Sequence, residues 1–313
     1  MIAGVDIGGS KIAVAMVGAG GEVLARATSP TLAQHGYSAA RQRIEQMLRK
    51  VSGQIGMSIT GIGIGCTGPV DPFSGEIGEV NFLPHWKGEN PVNDLSRSFG
   101  VPVAVENDAD AAALAEVHWG AGRGKKRLVY ITVGTGIGGG LIFDGVLYRG
   151  VDQSHPEIGH HVIDPSGPKC LCGFQGCWES LAAGPAMAAW FQSNACDFPD
   201  VDQITAEQVC RLAGEGNQEA IRAVERETYY LGLGIANIVT LFSPDSIVLS
   251  GGVMRSADLF LPGIKKIICE SCAYVPFQKT ELTLASLGAD TNLIGAACVW
   301  HHRYGQDGGE LAS

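Results

Sequence analysis

Short apolar runs and longer amphipathic stretches alternate along the chain. Three apolar runs separated by glycine-rich turns open it, at residues 2–7 (IAGVDI), 12–17 (IAVAMV) and 23–28 (VLARAT). Such runs, bounded by turn residues, predict consecutive strands with no helix between them. Apolar residues then recur with helical spacing over about 38–51, at Ile44, Met47, Leu48 and Val51. The chain therefore begins with three strands and a helix.

The strand pattern restarts after the polar stretch GRGKK at residues 122–126. The run RLVYITV, the turn GTGIGGG, the run LIF, a DG hairpin turn and VLYRG predict a second set of strands. The later half is more helical, and Thr205 with Gln208 matches a capping box. Helices are expected near 217–241, 256–272 and 292–303, with the strands SIVLS and ELTLASL between them.

These elements predict an α/β fold with two lobes and a ligand cleft between them. Each lobe would open with a hairpin whose first turn is glycine-rich. The N-terminal lobe is expected over residues 1–120 and the C-terminal lobe over 121–291, with the last helix, about 292–303, packing back on the first lobe.

Composition narrows the class of protein. The 313 residues carry a formal net charge of −10, which argues against a nucleic-acid partner because such a partner requires a basic face. Neither a signal peptide nor a run of membrane-spanning length is visible, so a cytoplasmic location is expected. Three of the nine cysteines fall within residues 170–177, which in a reducing compartment favours a metal site over disulfides.

The two glycine turns are best explained as phosphate-binding turns. A dinucleotide fold needs a helix directly after the glycines, and a P-loop needs a following Gly-Lys-Ser/Thr; neither turn has these. Backbone amides of hairpin turns can still hold phosphates. In DIGGSK, Asp6 can hold Mg²⁺ through water while Ser10 and Lys11 approach the phosphates of a triphosphate. The competing interpretation is two hairpins that serve packing alone.

The segment VENDADAAALAE supplies a candidate general base. Asp108 follows a strand and precedes an alanine-rich helix, where the helix dipole favours its ionised form. A carboxylate there could take the proton of an attacking hydroxyl. The competing interpretation is a simple helix N-cap, which is also the local structure that we predict for Asp108. Asp110 is expected to be a solvated acid of the first helical turn.

The spacing C-x-C-x₄-C at Cys170, Cys172 and Cys177 suits a tetrahedral Zn²⁺ site. Three free thiols in a buried loop are the alternative. Two neighbouring histidines, His160 and His161, are candidates for a fourth ligand. A site with four protein ligands would be structural, because no position is left open for a substrate.

DIGGSKIAVA, ITVGTGIGGGLIFDG, EIGH and CLCGFQGCWE occur here in the order and spacing of the ROK family of bacterial sugar kinases, which the chain resembles from residue 2 to about 303. The resemblance implies an actin-like ATPase fold and phosphoryl transfer from ATP to a hexose or amino-hexose. It also implies Mg²⁺ with the nucleotide and a structural Zn²⁺.

Roles follow from the resemblance residue by residue. It implies that Asp108 is the base and that His160, with His161 as competitor, is the fourth zinc ligand. It implies sugar contacts for Gly68, Asn81, Asn107, Asp108, Glu157, His160 and Glu179. For Glu179, an ordinary first-turn helix acid is the alternative. It implies nucleotide contacts for Asp6, Gly8, Gly9, Ser10, Lys11, Gly134, Thr135, Gly136, Gly251 and Gly252. The family often has NLPGW where this chain has NFLPHW, which affects the surroundings of Asn81.

Glucose is the expected sugar, because the cysteine set with GPVD and HWKG resembles glucokinase-type members. SHPEIGH and LAAGPA also resemble the fructokinase branch, and the N-acetylated hexosamines GlcNAc and ManNAc stay open as substrates. ATP is the expected donor, with polyphosphate or other nucleotides open. A sugar-responsive transcriptional regulator is a remote alternative, since a helix-turn-helix domain would precede the first turn in such members. The family resemblance alone suggests a homodimer.

Overall fold

A computed structural model describes residues 1–195 and 204–305. In chain order the elements of its first half are β1 (Ile2–Ile7), β2 (Lys11–Val17), β3 (Val23–Pro30), α1 (Tyr37–Ile55), β4 (Gly61–Cys66), α2 (Pro91–Phe99), β5 (Val103–Asn107), α3 (Asp108–His118), β6 (Leu128–Val133), β7 (Ile137–Phe143) and β8 (Val146–Leu147). Those of the second half are α4 (Trp178–Ala182), α5 (Gly184–Asn194), α6 (Ala206–Gly214), α7 (Gln218–Phe242), β9 (Ser246–Ser250), α8 (Ala257–Ser271), β10 (Glu281–Leu284) and α9 (Thr291–Tyr304).

The first sheet has five strands in the order β3-β2-β1-β4-β5. The hairpin strands β1, β2 and β3 pair antiparallel, whereas β4 and β5 join β1 in parallel. The apolar strands β1 and β4 are buried along their whole length, while the edge strand β3 alternates between half-buried and exposed positions. Because parallel strands end at one edge, the carboxyl ends of β1, β4 and β5 bring Asp6, Cys66 and Asn107 to the same side.

The second sheet also has five strands, in the order β10-β9-β6-β7-β8. The strands β9 and β10 are parallel, and β7 and β8 form an antiparallel hairpin closed by the turn at Asp144 and Gly145. The turn of residues 134–136 joins β6 to β7, which are neighbours in this sheet. The two glycine turns therefore occupy equivalent local positions, each between the first two strands of its hairpin set.

The chain divides into two compact units. The first contains Met1–Tyr130, Gly140–Pro156 and Ala285–Ser313, and the second contains Ile131–Gly139 and Glu157–Leu284. The boundary runs through β6 and β7 rather than through the polar stretch near residue 120. Within the first unit, α9 packs against α3, β1 and β4.

Most of the predicted elements are present. Helix α1 buries the four residues of the predicted stripe, Ile44, Met47, Leu48 and Val51. The capping box of Thr205 and Gln208 is confirmed, with both reciprocal hydrogen bonds formed. The stretch WESLAAGPAMAAW does not form one helix, because the chain is extended at Ala183 and divides there into α4 and α5. Pro185 lies in the first turn of α5, where a proline disfavours a continuous helix before it.

Candidate active site and metal centre

The first glycine turn, residues 7–11, connects β1 to β2. The Gly8 amide donates to the Lys11 carbonyl oxygen over 2.9 Å, and the Thr31 hydroxyl donates to the Gly8 carbonyl oxygen over 2.6 Å. Ser10 and Lys11 are exposed, whereas Asp6 is buried at the end of β1. The turn thus presents a hydroxyl and an ammonium group to solvent, above a buried carboxyl.

The surroundings of the Asp6 carboxyl disfavour its ionised form. Burial, followed by the charge of Asp108, raises the pKa of Asp6 to about 7, while Lys11 and a hydrogen bond from Asn292 act in the opposite direction. Two carboxylates that repel each other at the end of a sheet are a donor set that a hard divalent cation would stabilise. The residues present therefore fit a bound Mg²⁺.

Asn107 and Asp108 form the junction between β5 and α3. The Asn107 side-chain oxygen accepts from the Ala109 and Asp110 amides at 2.8 and 3.4 Å, so Asn107 is the N-cap. The prediction that Asp108 caps this helix is wrong, because Asn107 already has the extended backbone that a cap requires. Asp108 is instead the first helical residue and is half-buried.

Gly68 lies beside this junction. A Cβ at Gly68 would lie 3.0 Å from the Asn107 side-chain nitrogen, and the peptide bond from Gly68 to Pro69 is cis. The structure thus brings together three residues for which the sequence predicts sugar contacts, Gly68, Asn107 and Asp108.

The acids two residues before and two residues after Asp108 each have a basic side chain as partner. Glu106 is buried and receives the Arg149 guanidinium, with Nε at 3.1 Å from each oxygen and Nη2 at 2.5 Å from Oε1. Asp110 Oδ2 lies 2.7 Å from His155 Nδ1. The prediction of a solvated Asp110 is wrong, because this side chain is only 1% exposed and faces His155.

Asn81 and Phe82 lie in an exposed turn near the first glycine turn. A Cβ at Gly9 would lie 2.6 Å from the Phe82 Cβ, so glycine is required for this close approach. Trp86 is fully buried and meets Tyr37 edge-on at 5.3 Å, as expected for a packing residue. The additional phenylalanine of NFLPHW therefore lies against the first glycine turn.

The second glycine turn has different surroundings. The Gly134 amide donates to the Gly136 carbonyl oxygen, and the Gly184 amide donates to the Gly134 carbonyl oxygen, each over 2.9 Å. Glu179 Oε2 accepts from the Ile137 amide over 2.9 Å, and a Cβ at Gly136 would overlap this carboxylate. Thr135, between the two glycines, is exposed.

The third turn, at Gly251 and Gly252, lies next to the second. The amide nitrogen of Gly252 is 3.9 Å from the position that a Cβ on Gly134 would take. Gly251 has a φ of +97°, in the left-handed region that glycine tolerates. Backbone amides of both turns are thus close together in the second unit.

The cysteine loop forms a compact cluster with one histidine. One ligand atom from each of four residues lies within 4.8 Å of the other three, namely His160, Cys170, Cys172 and Cys177. Cys172 Sγ is 3.5 Å from Cys177 Sγ, and Cys170 Sγ is 3.5 Å from His160 Nδ1. Ligand atoms of a tetrahedral zinc site lie roughly 3.5–3.8 Å apart, from bond lengths of about 2.0–2.3 Å. The four side chains therefore fit Zn²⁺.

His161 is directed away from this cluster. Its Nδ1 lies 2.5 Å from the Ile158 carbonyl oxygen, and its ring lies 5.3 Å from that of the buried Trp178. Burial lowers the pKa of His161, which disfavours the protonated ring. Of the two histidines left open by the sequence, the structure brings His160 to the thiols.

The two acids expected at the sugar differ in their environment. Glu179 is half-buried in the first turn of α4, two residues after Cys177, and contacts the second glycine turn. Glu157 is exposed and precedes a short 3₁₀ turn that ends at His160. The cysteine cluster and both acids therefore belong to the same part of the second unit.

Sequence reasoning missed the buried contacts of Glu106 with Arg149 and of Asp110 with His155. A glutamate inside the apolar run VAVEN was a usable signal, because a buried charge requires a partner. Nothing local, however, points to Arg149 or His155, which lie 43 and 45 residues further along the chain.

Residues 2–303 match the family model described as "ROK family". A glucokinase of Thermotoga maritima is 29% identical over 96% of this chain and 98% of its own length. Two solved structures are similar over nearly the whole chain. A ROK family glucokinase from Streptomyces griseus, in complex with glucose and AMPPNP, is 30% identical with a TM-score of 0.83, over 96% of this chain and 99% of its own.

The second structure is a ROK hexokinase from Thermus thermophilus, 32% identical with a TM-score of 0.81, over 96% of this chain and 98% of its own. The likeness extends over both five-stranded sheets, so the expected actin-like ATPase fold is confirmed. Within residues 1–195 and 204–305, no helix combines the length and the apolar character that a bilayer crossing needs.

Proposed function

The chain belongs to the ROK family, and we propose that it is an ATP-dependent hexokinase that converts glucose to glucose 6-phosphate. The observation that carries the proposal is the junction of Asn107 and Asp108 beside Asp6 and the first glycine turn. A carboxylate at a helix N-terminus, next to a phosphate-binding turn and a candidate Mg²⁺ ligand, is what phosphoryl transfer to a hydroxyl requires.

In the proposed reaction, Asp108 accepts the proton of the sugar C6 hydroxyl. The hydroxyl oxygen forms a bond to the γ-phosphorus of ATP, and the bond from that phosphorus to the ADP oxygen breaks. Asn107 supports this role, because its cap hydrogen bonds hold the first turn of α3 and so orient Asp108. The helix N-terminus stabilises the ionised base before proton transfer.

The sugar hydroxyls would be bound by the remaining residues that the family pattern marks. Gly68 and Asn107 adjoin Asp108 in the first unit, with Asn81 in the nearby exposed turn. Glu157, His160 and Glu179 belong to the second unit. Fixed carboxylates that accept O–H bonds favour a polyol over an analogue without those hydroxyls.

The proposed nucleotide contacts are made by the three glycine turns. Gly8, Gly9, Ser10 and Lys11 would approach the phosphates in the first unit, and Gly134, Thr135, Gly136, Gly251 and Gly252 in the second. Asp6 would hold Mg²⁺ through water. The cation would neutralise charge on the phosphates during transfer.

We also assign a structural Zn²⁺ to His160, Cys170, Cys172 and Cys177. The support is the mutual approach of their ligand atoms within 4.8 Å. Burial, together with the neighbouring thiols, raises the pKa of Cys177 to about 12, so the cluster suits a cation that stabilises thiolates. Zinc would hold the loop next to Glu179.

The sugar preference is tested by a coupled ADP-release assay with glucose, fructose, mannose, N-acetylglucosamine and N-acetylmannosamine. We expect the highest kcat/KM with glucose. Higher values with fructose or an N-acetylated sugar would assign the chain to one of those kinase types. Repeating the assay with polyphosphate in place of ATP tests the donor.

The role of Asp108 is tested by Asp108→Asn. The amide cannot accept the proton, so we expect kcat to fall by about 10²–10⁴, the usual contribution of a general base, while sugar binding is retained. Calorimetric titration with sugar separates binding from turnover. Substantial turnover by Asp108→Asn would contradict the assignment of Asp108 as the base.

A homodimer in the cytoplasm completes the proposal. The dimer rests on the family resemblance, and the location on the need for ATP. Light scattering coupled to size-exclusion chromatography measures the mass, with about twice 32.8 kDa expected. A gel shift with genomic fragments tests the regulator alternative, and no shift is expected from a chain with a net charge of −10.

A further inference from the structure

The side-chain partners of Glu106 and Asp110 both lie in one irregular segment, residues 149–156, which we call the connecting segment. It follows β8 and ends where the chain passes from the first unit to the second, at Pro156 and Glu157. Arg149 at its beginning and His155 near its end pair with the two acids that flank Asp108 at positions −2 and +2.

The connecting segment contributes no buried side chain to the core. Residues 148–157, all within the described part of the chain, include no buried side chain, and Val151 is 78% exposed. Its backbone is unusual, since Asp152, Gln153 and His155 have φ values of +50°, +59° and +57°. Residues other than glycine occupy this region at a cost, so other contacts must stabilise the conformation.

The segment is closed by its own backbone and attached at both ends. The His155 amide donates to the Arg149 carbonyl oxygen over 2.9 Å, which links the two residues directly. The partners are rigid, because Glu106 lies in β5 and Asp110 in the first turn of α3. Glu106 and Asp110 are 2% and 1% exposed, so their bonds to Arg149 and His155 are shielded from water.

Because Glu106 and Asp110 are buried, their contacts with Arg149 and His155 differ from ordinary surface salt bridges. Desolvation raises the pKa of Glu106, and the bond from Arg149 opposes this shift. One oxygen of Asp110, Oδ1, is buried with no hydrogen-bond partner, so His155 Nδ1 is a principal contact of this carboxylate. Removing either side chain would leave a buried carboxylate without this partner, two residues from Asp108.

From this geometry we propose that Arg149 and His155 are positioning residues for phosphoryl transfer. Through Glu106 and Asp110 they attach the connecting segment to the β5–α3 junction, and so fix Asp108 and the segment that leads into Glu157. The inference rests on the proposed function, because that function makes Asp108 the catalytic base and places both Asp108 and Glu157 at the sugar. Neither Arg149 nor His155 touches the sugar in this scheme.

The test compares His155→Leu, His155→Asn and wild type. Leucine removes the donor, whereas asparagine places an N–H group near the position of Nδ1. We expect His155→Leu to raise KM for the sugar and to lower kcat by about tenfold or more, because small displacements of reacting groups are costly. KM for ATP should stay within about twofold, and His155→Asn should recover most of the loss.

A matched control removes an ion pair that the proposal does not use. Arg127, just before β6, pairs over 3.0 Å with Asp144 in the β7–β8 turn, and both are exposed and in the same unit, so Arg127→Gln should leave all three kinetic constants unchanged. If His155→Leu does not fold, Arg149→Lys serves instead. It keeps the charge but loses the forked contact with Glu106, and the same split between sugar and ATP is expected.

Two results would overturn the proposal. One is a folded His155→Leu or Arg149→Lys with sugar KM and kcat within twofold of wild type. The other is a parallel rise of KM for sugar and for ATP with no recovery in His155→Asn, which indicates a general structural role. Wild-type turnover identifies which idea has failed: a wild type that phosphorylates no sugar refutes the proposed function itself, and the positioning role with it.

Discussion

The two glycine turns are alike in local structure and differ in what surrounds them. Each connects adjacent strands, and each has a glycine against which a neighbouring side chain packs. At the first turn the neighbours are the buried carboxyl of Asp6, the exposed Lys11 and the ring of Phe82. At the second turn they are backbone groups and the carboxylate of Glu179, which accepts from the Ile137 amide.

This difference separates two tasks that the sequence motif alone does not distinguish. The first turn has the charges for a metal-bound phosphate and lies in the unit that contains Asp108. The second turn is connected through Glu179 to the helix that follows the cysteine cluster. In the proposed kinase, the first turn would therefore bind the Mg²⁺-bound phosphates of ATP. The second turn would link ATP binding to sugar binding through Glu179.

Of the substitutions that distinguish the two turns, Asp6→Asn should have the largest effect on activity. Loss of the carboxylate should lower kcat/KM by about 10–100-fold, the usual cost of removing a group that holds a metal through its water shell. A titration of activity against Mg²⁺ should show a higher requirement, with sugar affinity unchanged. Glu179→Gln is the counterpart at the second turn and should leave the Mg²⁺ requirement as in wild type. An unchanged requirement in Asp6→Asn would show that the first turn is no different from the second.

Alanine substitutions at the two turns should have different effects on KM for sugar and for ATP. In Gly136→Ala the new methyl group displaces the Glu179 carboxylate, so KM for both sugar and ATP should rise, by about tenfold or more for loss of a hydrogen bond to a charged group. In Gly9→Ala the methyl group meets Phe82, and only KM for ATP should rise.

The double variant Gly9→Ala with Phe82→Ala separates packing from phosphate binding. Removing the ring relieves the overlap, so recovery indicates that Gly9 accommodates Phe82. A persistent defect indicates that the phosphates themselves need this glycine. Sugar KM that rises equally in Gly9→Ala and Gly136→Ala would abolish the proposed division of tasks.

Of the two glycine turns, removal of zinc should affect only the second. Cys172→Ser should lower the bound zinc, measured by mass spectrometry of the metal content, and lower Tm by about 5 °C or more, since 1 kcal/mol corresponds to about 2–4 °C. Sugar KM should rise through the displaced Glu179, while the Mg²⁺ requirement stays constant. Cys269→Ser is the matched control, because this cysteine is exposed and lies outside the cluster. Full zinc content in Cys172→Ser would contradict the assignment of the ligands.

The smallest effect is expected on stability, from a substitution at a second buried carboxyl. Glu227 in α7 is fully buried, both of its oxygens have no hydrogen-bond partner, and burial raises its pKa well above the usual range. Asp6, in contrast, has Lys11 and Asn292 as neighbours. A pKa raised in the folded state means that the folded protein binds the proton more tightly, so stability is lost as pH rises above the unfolded pKa of about 4.5.

Glu227→Gln should therefore stabilise the protein by about 1–3 kcal/mol at pH 8, because a neutral amide removes the cost of protonating or burying a carboxylate on folding. The gain should disappear towards pH 4, where the carboxyl is protonated in both states. Thermal denaturation across this pH range measures it. Glu225→Gln, on the exposed face of the same helix, controls for the change in net charge. Equal Tm shifts in the two variants would exclude a special role of burial at Glu227.

Features encoded by neighbouring residues were predicted well. The helical stripe of α1, the capping box of α6 and the close spacing of three cysteines depend on contacts within one turn or loop. The error at Asp108 was also local: asparagine and aspartate cap helices about equally well, so the sequence ND does not decide which residue is the cap. The structure decided it through the extended backbone of Asn107.

By itself, then, the sequence determined the order of strands and helices, the glycine turns, the cysteine set and the family motifs, because each depends on residues close together along the chain. Only the tertiary structure decided which of two histidines meets the thiols, which carboxylates are buried, and that Arg149 and His155 reach Glu106 and Asp110. The physical reason is burial. A charged side chain has no preferred partner in an extended chain, and it acquires one only when folding removes water and leaves a single group within hydrogen-bond distance.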